Sequence, residues 1–294
     1  MKVLLTGSNG FVGRFVAERL GRGLEVRGVD LPTDLTVKEN ALKAVEDMDA
    51  VVHLAALAGA SGKGGAAESR DNPYPFLHNN INATLNVLEA MKVHRVDKLV
   101  FMSSFSVYPR SPKCPIDEDT PVGPYNAYGK SKQVGEELVR FYSQFGIRSA
   151  ILRPTLICGE HQREKNAVRE FVISAIEGQP IEIWGEGLHR REFIHPVDIA
   201  EAIWKSLKFV SGKMQGEYET FVLGNQPVSM LELAKLVKAR IPETRIEFRP
   251  PGPQAFDQTT DHSKAIRILG WEPSMGIDEI LSKVILDVRM GMKP

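Results

Sequence analysis

Net charge is the first thing this chain lacks: its 37 basic residues are matched by 37 acidic ones. No overall field therefore draws it to nucleic acid or to an anionic membrane, although a local basic site for a phosphorylated ligand stays open. Cysteine is scarce. Cys114 and Cys158 form no CxxC pair and stand in no metal-ligand spacing, which argues against a disulfide framework or a zinc site and for free thiols in a reducing compartment. No apolar run approaches the length of a membrane span. Internal repeats and low-complexity tracts are missing too. The chain enters a strand pattern at Lys2, which leaves no room for a leader and makes a cytoplasmic location the expectation.

What is present is an ordinary globular composition, 43% hydrophobic and 25% charged over 294 residues. That length can bury a core as one large domain or two interleaved ones. The apolar run Lys2–Thr6 is followed by Gly7-Ser8-Asn9-Gly10-Phe11-Val12-Gly13 and then by Phe15, Val16, Arg19 and Leu20 at helical spacing. The order is strand, glycine turn, helix. Glycines at this turn let a pyrophosphate approach the backbone, Gly13 lets the helix lie close to the sheet, and the helix N-terminus favours negative charge. A second short strand ends in Asp30, about 20 residues past the turn, where a carboxylate can accept hydrogen bonds from ribose hydroxyls. It would repel a 2′-phosphate, and no Arg or Lys follows in Leu31-Pro32-Thr33, so NAD is favoured over NADP.

Asp34 and Leu35 lead into a helix-compatible segment at residues 37–48. A strand follows and runs into the small residues of His53-Leu54-Ala55-Ala56, where a cofactor can lie against backbone. His53 reads as a packed histidine, and the Gly/Ala/Ser-rich residues 59–69 read as a loop that could order over ligand. A helix with an Asn-rich start begins at Asn79. The strand Lys98–Met102 then ends in Ser103-Ser104-Phe105-Ser106-Val107-Tyr108, which puts hydroxyls at the rim where α/β sheets bind ligands.

About two dozen residues on, Tyr128 and Lys132 stand four apart in a segment that continues as helix to Val139, so both can address one substrate. Of the six tyrosines only Tyr128 has a lysine at that spacing. A free phenol ionises near pKa ~10 and is a poor base at neutral pH unless positive charge lies beside it. Lys132 supplies such a charge.

Together these residues resemble the extended short-chain dehydrogenase/reductase superfamily, in particular its NAD-dependent sugar epimerase/dehydratase family. The likeness runs through the turn at residues 7–13, Asp30, His53-Leu54-Ala55-Ala56, Asn80-Ile81-Asn82-Ala83-Thr84, Ser103 to Tyr108, Tyr128 to Lys132 and Leu152-Arg153-Pro154. It continues in Gly185-Glu186-Gly187, Arg191-Glu192-Phe193, Arg249-Pro250-Pro251-Gly252, Asp261-His262-Ser263-Lys264-Ala265 and Leu269-Gly270-Trp271-Glu272-Pro273. The resemblance implies an α/β fold, a Rossmann-type doubly wound parallel sheet with a smaller C-terminal substrate-binding region. Residues 1–153 would form the NAD-binding core, with residues 193–210 returning to it. Residues 154–192 and 211–294, including a helix at residues 230–241, would bind the substrate.

The same resemblance implies that NAD is held by Gly7, Asn9, Gly10, Phe11, Val12, Gly13, Asp30, Asp34, Leu35, Leu54, Ala55, Ala56, Asn80, Ser103, Tyr128, Lys132 and Pro154. Ser104, Tyr128 and Lys132 would be catalytic, and Ser104, Ser106, Arg191 and Arg249 would bind a nucleotide-sugar substrate, the two arginines by its diphosphate. The implied reaction is 4-epimerisation, with UDP-glucose and UDP-galactose the first choice, through a transient 4-keto intermediate with Tyr128 as base. No metal is implied, and a homodimer is, through the helices starting near Thr84 and Tyr128. Dehydratases of the family carry an Asp-Glu pair after the catalytic hydroxyl, where this chain has Phe105 and Ser106, so dehydration is disfavoured. A sugar dehydrogenase or keto-sugar reductase is the alternative, and a non-catalytic NAD sensor a more distant one. Two departures bear on the substrate. Leu156-Ile157-Cys158-Gly159 replaces the family's Asn-x-Tyr-Gly, and residues 160–166 are compact.

Overall fold

In strand β1 (Lys2–Thr6), Val3 and Leu5 face one side and Leu4 the other, and all three are fully buried. A strand apolar on both faces belongs inside a parallel sheet covered by helices. The computed structural model, which describes residues 1–58, 69–163, 166–252 and 256–291, shows that arrangement. With β1, the strands β2 (Glu25–Val29), β3 (Ala50–His53), β4 (Lys98–Met102), β5 (Arg148–Pro154) and β10 (Tyr218–Leu223) form one sheet of six. All pair in parallel, in the order β10-β5-β4-β3-β1-β2.

One face carries α1 (Phe11–Gly21) and α6 (Pro196–Ser211). Here Val16, Leu20, Ile199, Ile203 and Leu207 pack on Val3, Leu5, Val52 and Val100. The other face carries α2 (Lys38–Val45), α3 (Pro73–His94) and α4 (Ala127–Tyr142), which bury Val45, Val87, Leu88, Met91 and Val139 against Leu4, Val51, Leu99 and Phe101. The expected helix at Asn79 thus begins a turn and a half earlier, at Pro73. Proline is tolerated in a first helical turn because its missing N–H is unneeded there.

A second core lies outside the sheet. It joins α5 (Ala167–Ile176), α7 (Met230–Arg240) and α8 (Ile277–Gly291) through Val172, Leu233, Val237, Leu281 and Val284, beneath β7 (Ile181–Trp184). The short pairs β6 (Leu156–Ile157) with β9 (Phe193–Ile194), β8 (Arg190–Arg191) with β11 (Val228–Ser229), and β7 with β12 (Ile246–Arg249) finish this lobe.

Helix α6 packs on α1, β4 and β5 and so lies on the central sheet. Residues 211–294 differ from the expectation, because they do not all belong to the second lobe. Tyr218–Leu223 is the sixth strand of the central sheet, and Ala265, Leu269 and Trp271 pack into the core beneath α1 and α6. The reason is apolar continuity: Phe221, Val222 and Leu223 are wholly buried and can be so only beside β5. Trp271 Nε1 then donates to the Asp198 carbonyl (2.8 Å), tying the later chain to the N-terminal end of α6. Residues 59–68 of the Gly/Ala/Ser-rich loop lie outside the described residues. Among the described residues no helix is long and apolar enough to cross a membrane.

Candidate active site

The chain passes from β1 to β2 on one side of the sheet and to β3 on the other, so the crevice of the reversal opens at the carboxyl ends of β1 and β3. Gly7 occupies it with φ +72°, and a Cβ there would come within 2.9 Å of the Ala55 nitrogen. A Cβ at Gly13 would overlap the Gly7 carbonyl oxygen. Turn, helix and following strand are therefore in backbone contact. The first turn of α1 holds no acidic residue and has no side-chain cap, so its positive end is left to the crevice.

Asp30 ends β2 at the same rim. Its two oxygens accept from the Asn9 N–H (2.8 Å) and the Leu31 N–H (2.8 Å), which fixes the carboxylate and leaves it lone pairs for hydroxyl donors. His53 is buried between the Thr6 hydroxyl (2.8 Å from Nδ1) and the Thr84 hydroxyl (3.2 Å from Nε2). Burial, with the Lys132 charge adding to it, drops its pKa from the usual 6.5 to about 3. It is a packing residue, as expected. Asn80 accepts from the Leu57 N–H (2.7 Å) and donates to the Leu57 carbonyl (3.1 Å) and the Ser131 hydroxyl (2.9 Å), so it fastens the chain after β3 to α4.

The helix α4 starts at Asn126, whose side chain caps it by accepting from the Gly129 N–H (2.7 Å). A Cβ at Gly129 would overlap the Ser106 carbonyl oxygen, so only glycine lets the first turn touch the Ser103–Ser106 segment. That contact places Tyr128 beside the serines. Tyr128 is half-buried at the cleft surface, and Lys132, one turn on, is buried and donates from Nζ to the Met102 carbonyl (2.7 Å). Burial pulls the Lys132 pKa from 10.5 to about 8, opposed by the Glu136 carboxylate. Ser104 Oγ accepts from the Ser106 N–H (3.1 Å), which orients that hydroxyl at the carboxyl end of β4. The Ser103 hydroxyl turns the other way and donates to Glu136 (2.6 Å), leaving backbone rather than side chain to face a ligand.

One cleft of about 1940 Å³ collects nearly all of these groups. Gly7, Gly10, Phe11, Val12, Gly13, Asp30, Asp34, Leu35, Leu54, Ala55 and Ala56 line one end. Asn80, Ser103, Ser104, Ser106, Tyr128, Lys132, Pro154, Arg191 and Arg249 line the cleft as well. Asn9 takes part through its backbone N–H on Asp30 rather than as lining.

The two arginines differ. Arg191 is almost buried, lies over the Phe256 ring (5.0 Å) and donates to the Arg190 and Phe256 carbonyls, so its guanidinium is held in one pose. Arg249 is half-buried, with Nη2 2.6 Å from Glu182 and 3.1 Å from Glu247. Leu156, which stands where the family has Asn, lines the same cleft with an apolar, exposed side chain.

Sequence reading missed the groups behind the cleft. Glu136 accepts from Ser103, Arg140 and Arg153, and Arg153 donates onward to the Tyr108 hydroxyl. The signal was there: residues 128, 132 and 136 repeat at a spacing of four, so a carboxylate shares the face of the phenol and the ammonium.

A glycine turn at the switch point of a parallel sheet, an acid at the end of the second strand, and a Tyr-Lys helix beside a serine rim define a dinucleotide-dependent oxidoreductase-type enzyme. The residues fit a dinucleotide, because the N-terminus of α1 carries no side-chain cap and the Asp30 carboxylate at the same rim keeps lone pairs for hydroxyl donors. The chain belongs to the NAD dependent epimerase/dehydratase family, whose model matches residues 3–224. It is accordingly an NAD-dependent enzyme of the extended short-chain dehydrogenase/reductase type.

Similar proteins include a UDP-glucuronate 4-epimerase of Thermodesulfobacterium geofontis, 32% identical over 96% of this chain and 94% of that protein. A UDP-glucose 4-epimerase of Bacillus subtilis is 28% identical over 95% of this chain and 94% of its own. Among solved structures, the UDP-glucose 4-epimerase of Thermus thermophilus in complex with NAD superposes with a TM-score of 0.83. That pair is 25% identical, and the match covers 98% of this chain and 99% of that one.

Proposed function

We propose that the protein is a nucleotide-sugar 4-epimerase, with UDP-glucose and UDP-galactose as the substrate pair. The observation that carries this reading is that one cleft is lined by Ser104, Tyr128 and Lys132 together with the glycine turn and Arg191. Gly7, Asn9, Gly10, Phe11, Val12, Gly13, Asp30, Asp34, Leu35, Leu54, Ala55, Ala56, Asn80, Ser103, Pro154, Tyr128 and Lys132 are the proposed cofactor contacts. Arg191 and Arg249 are the proposed diphosphate contacts, and Ser104 and Ser106 the sugar contacts.

NAD, when bound, supplies the two-electron oxidation of the sugar carbon and its reversal. The chain's own residues manage the proton. Tyr128 Oη takes it from the 4-hydroxyl, the Lys132 ammonium stabilises the phenolate that accepts it, and the Ser104 hydroxyl holds the same sugar oxygen in place. The 4-keto sugar turns over between the walls, Tyr128 returns the proton, and the opposite configuration results.

The test is to incubate the purified protein with UDP-glucose or UDP-galactose and no added cofactor. Interconversion supports the epimerase. Oxidised sugar formed only when NAD is supplied in excess would replace it with a dehydrogenase of the same superfamily. We further propose a homodimer through α3 and α4, where Val93 and Phe141 are exposed, with mass by light scattering as the check. A cytoplasmic location, which suits the free thiols Cys114 and Cys158, is part of the same proposal.

A further inference from the structure

Glu136 is fully buried on α4, one turn beyond Lys132 and two beyond Tyr128. Its Oε1 accepts from the Ser103 hydroxyl (2.6 Å) and from Arg153 Nε (2.8 Å), and its Oε2 from Arg153 Nη2 (2.6 Å) and Arg140 Nη2 (2.8 Å). The residues it grips are the neighbours of the reacting groups. Ser103 lies between Met102, whose carbonyl receives Lys132, and Ser104. Arg153 precedes Pro154 at the cleft wall, and its Nη1 donates to the Tyr108 hydroxyl (2.9 Å).

Few other charges bear on Lys132. On its own helix Glu136 stands one turn beyond it and Tyr128 one turn before. From β3 it meets His53, held neutral by burial. Arg153, on β5, is engaged by Glu136, and α3 contributes the uncharged Asn80, bonded to Ser131. Arg140 stands at the outer side of Glu136, and Tyr108 and Glu118 at the far end of Arg153. Of these, Glu136 is the group that opposes the effect of burial on the Lys132 ammonium. The carboxyl of Glu136 itself, raised by burial, is brought below the usual carboxylate range by Arg153, Ser103 and Arg140.

Stability alone gives little reason for such a set. Replacing a buried ion pair by apolar groups is often neutral, whereas removing one partner is costly. We propose that Glu136 is a positioning residue for the reaction: its carboxylate is the buried anionic neighbour of the Lys132 ammonium, one helical turn on, and, through Ser103 and Arg153, holds the ends of β4 and β5 against α4. The consequence for catalysis rests on the proposed roles of Tyr128 and Lys132. The effect on Lys132 does not, and it can be read without substrate.

The experiment follows the lysine directly, by 13C NMR of lysine-labelled protein, with the Lys132 signal assigned by its loss in Lys132→Met. Glu136→Gln leaves Arg153 without its partner, so the double variant Glu136→Gln/Arg153→Met is titrated beside it, with thermal unfolding as the check on folding. The expected result is a Lys132 midpoint that falls by ~1 pH unit or more in both variants. Glu136→Asp should return it toward the wild-type value. In turnover, the alkaline limb of kcat should move to lower pH by the same interval while KM holds. A folded double variant whose Lys132 titrates as in the wild type would overturn the proposal, and so would a double variant that cannot fold, since the pair would then be structural. If the midpoint moves but the wild-type protein turns over no nucleotide sugar, the reaction assignment fails and the positioning role stands.

Discussion

The two walls of the cleft are built differently. The sheet-side wall is held by backbone contacts and buried hydrogen bonds: Gly7 on Ala55, Gly13 on Gly7, Gly129 on Ser106, Asn80 on Leu57, Lys132 on Met102. The far wall, from α5, β7, β8 and β12, adds to its short strand pairs ion pairs near the surface, with Arg190 on Asp257 and Arg249 on Glu182. Backbone contacts fix atoms to fractions of an ångström, whereas exposed ion pairs contribute little and can exchange partners. The chemistry needs the first kind of wall, and an anchor for a substrate's distant charge can use the second.

The sharpest way to break that division is Tyr128→Phe. Turnover should fall about 10²- to 10⁴-fold while binding of cofactor and substrate holds, as measured by steady-state kinetics and calorimetry. Wild-type-like kcat would remove Tyr128 from the mechanism. Next comes Gly13→Val, which must push α1 away from the Gly7 carbonyl. NAD affinity should drop roughly 10- to 100-fold, the effect of overpacking by a few methyl groups. Unchanged affinity in a titration would refute the backbone account.

On the far wall the two arginines should separate. Arg191→Ala deletes a fixed, nearly buried cation and should raise KM about 10-fold or more with kcat little changed. Arg249→Ala deletes one already neutralised by Glu182 and Glu247, and should raise KM less than ~5-fold. Equal effects would mean that the ion pairs of Arg249 open on binding.

The smallest effects concern pH and stability, and they run in opposite directions. His53, behind the sheet-side wall, has a folded pKa of about 3 against the usual 6.5. Below 6.5 the unfolded chain takes up a proton that the folded one refuses, so this contribution is present above 6.5 and is lost as pH falls toward 3. Glu192 stands one residue past Arg191 and is held by the Thr260 N–H and hydroxyl and the Asn225 N–H. Burial raises its carboxyl from 4.5 to about 7. Its contribution is present below 4.5 and is lost as pH rises through 7. Thermal unfolding against pH should therefore show a shallower acid slope in His53→Gln and a changed slope between 4.5 and 7 in Glu192→Gln. Curves parallel to the wild type would show that neither group is buried in solution as the structure has it.

Much of the sheet-side wall was legible in the sequence because its parts are local. Strand, turn and helix at residues 2–20, the acid at Asp30 and the Tyr128-Lys132 spacing are each written within a few turns of chain, where period and turn chemistry decide. The sixth strand was not legible. Tyr218–Leu223 is apolar enough for either lobe, and its place beside β5 depends on a partner about 70 residues earlier. Glu136 escaped for a related reason, since an acid four residues past a lysine on a helix reads as a solvated pair until Arg153 and Ser103 close over it.

By itself, then, the sequence determined the dinucleotide turn, the acid that follows it, and a phenol and an ammonium on one helical face. Periodicity and glycine geometry act within short stretches and need no distant partner. Tertiary structure decided that the Ser103 hydroxyl turns to Glu136, that Arg191 is fixed and Arg249 paired, and that Lys132 lies buried against the Met102 carbonyl. Those outcomes depend on burial and on charges brought together from far apart in the chain, which only the closed fold supplies.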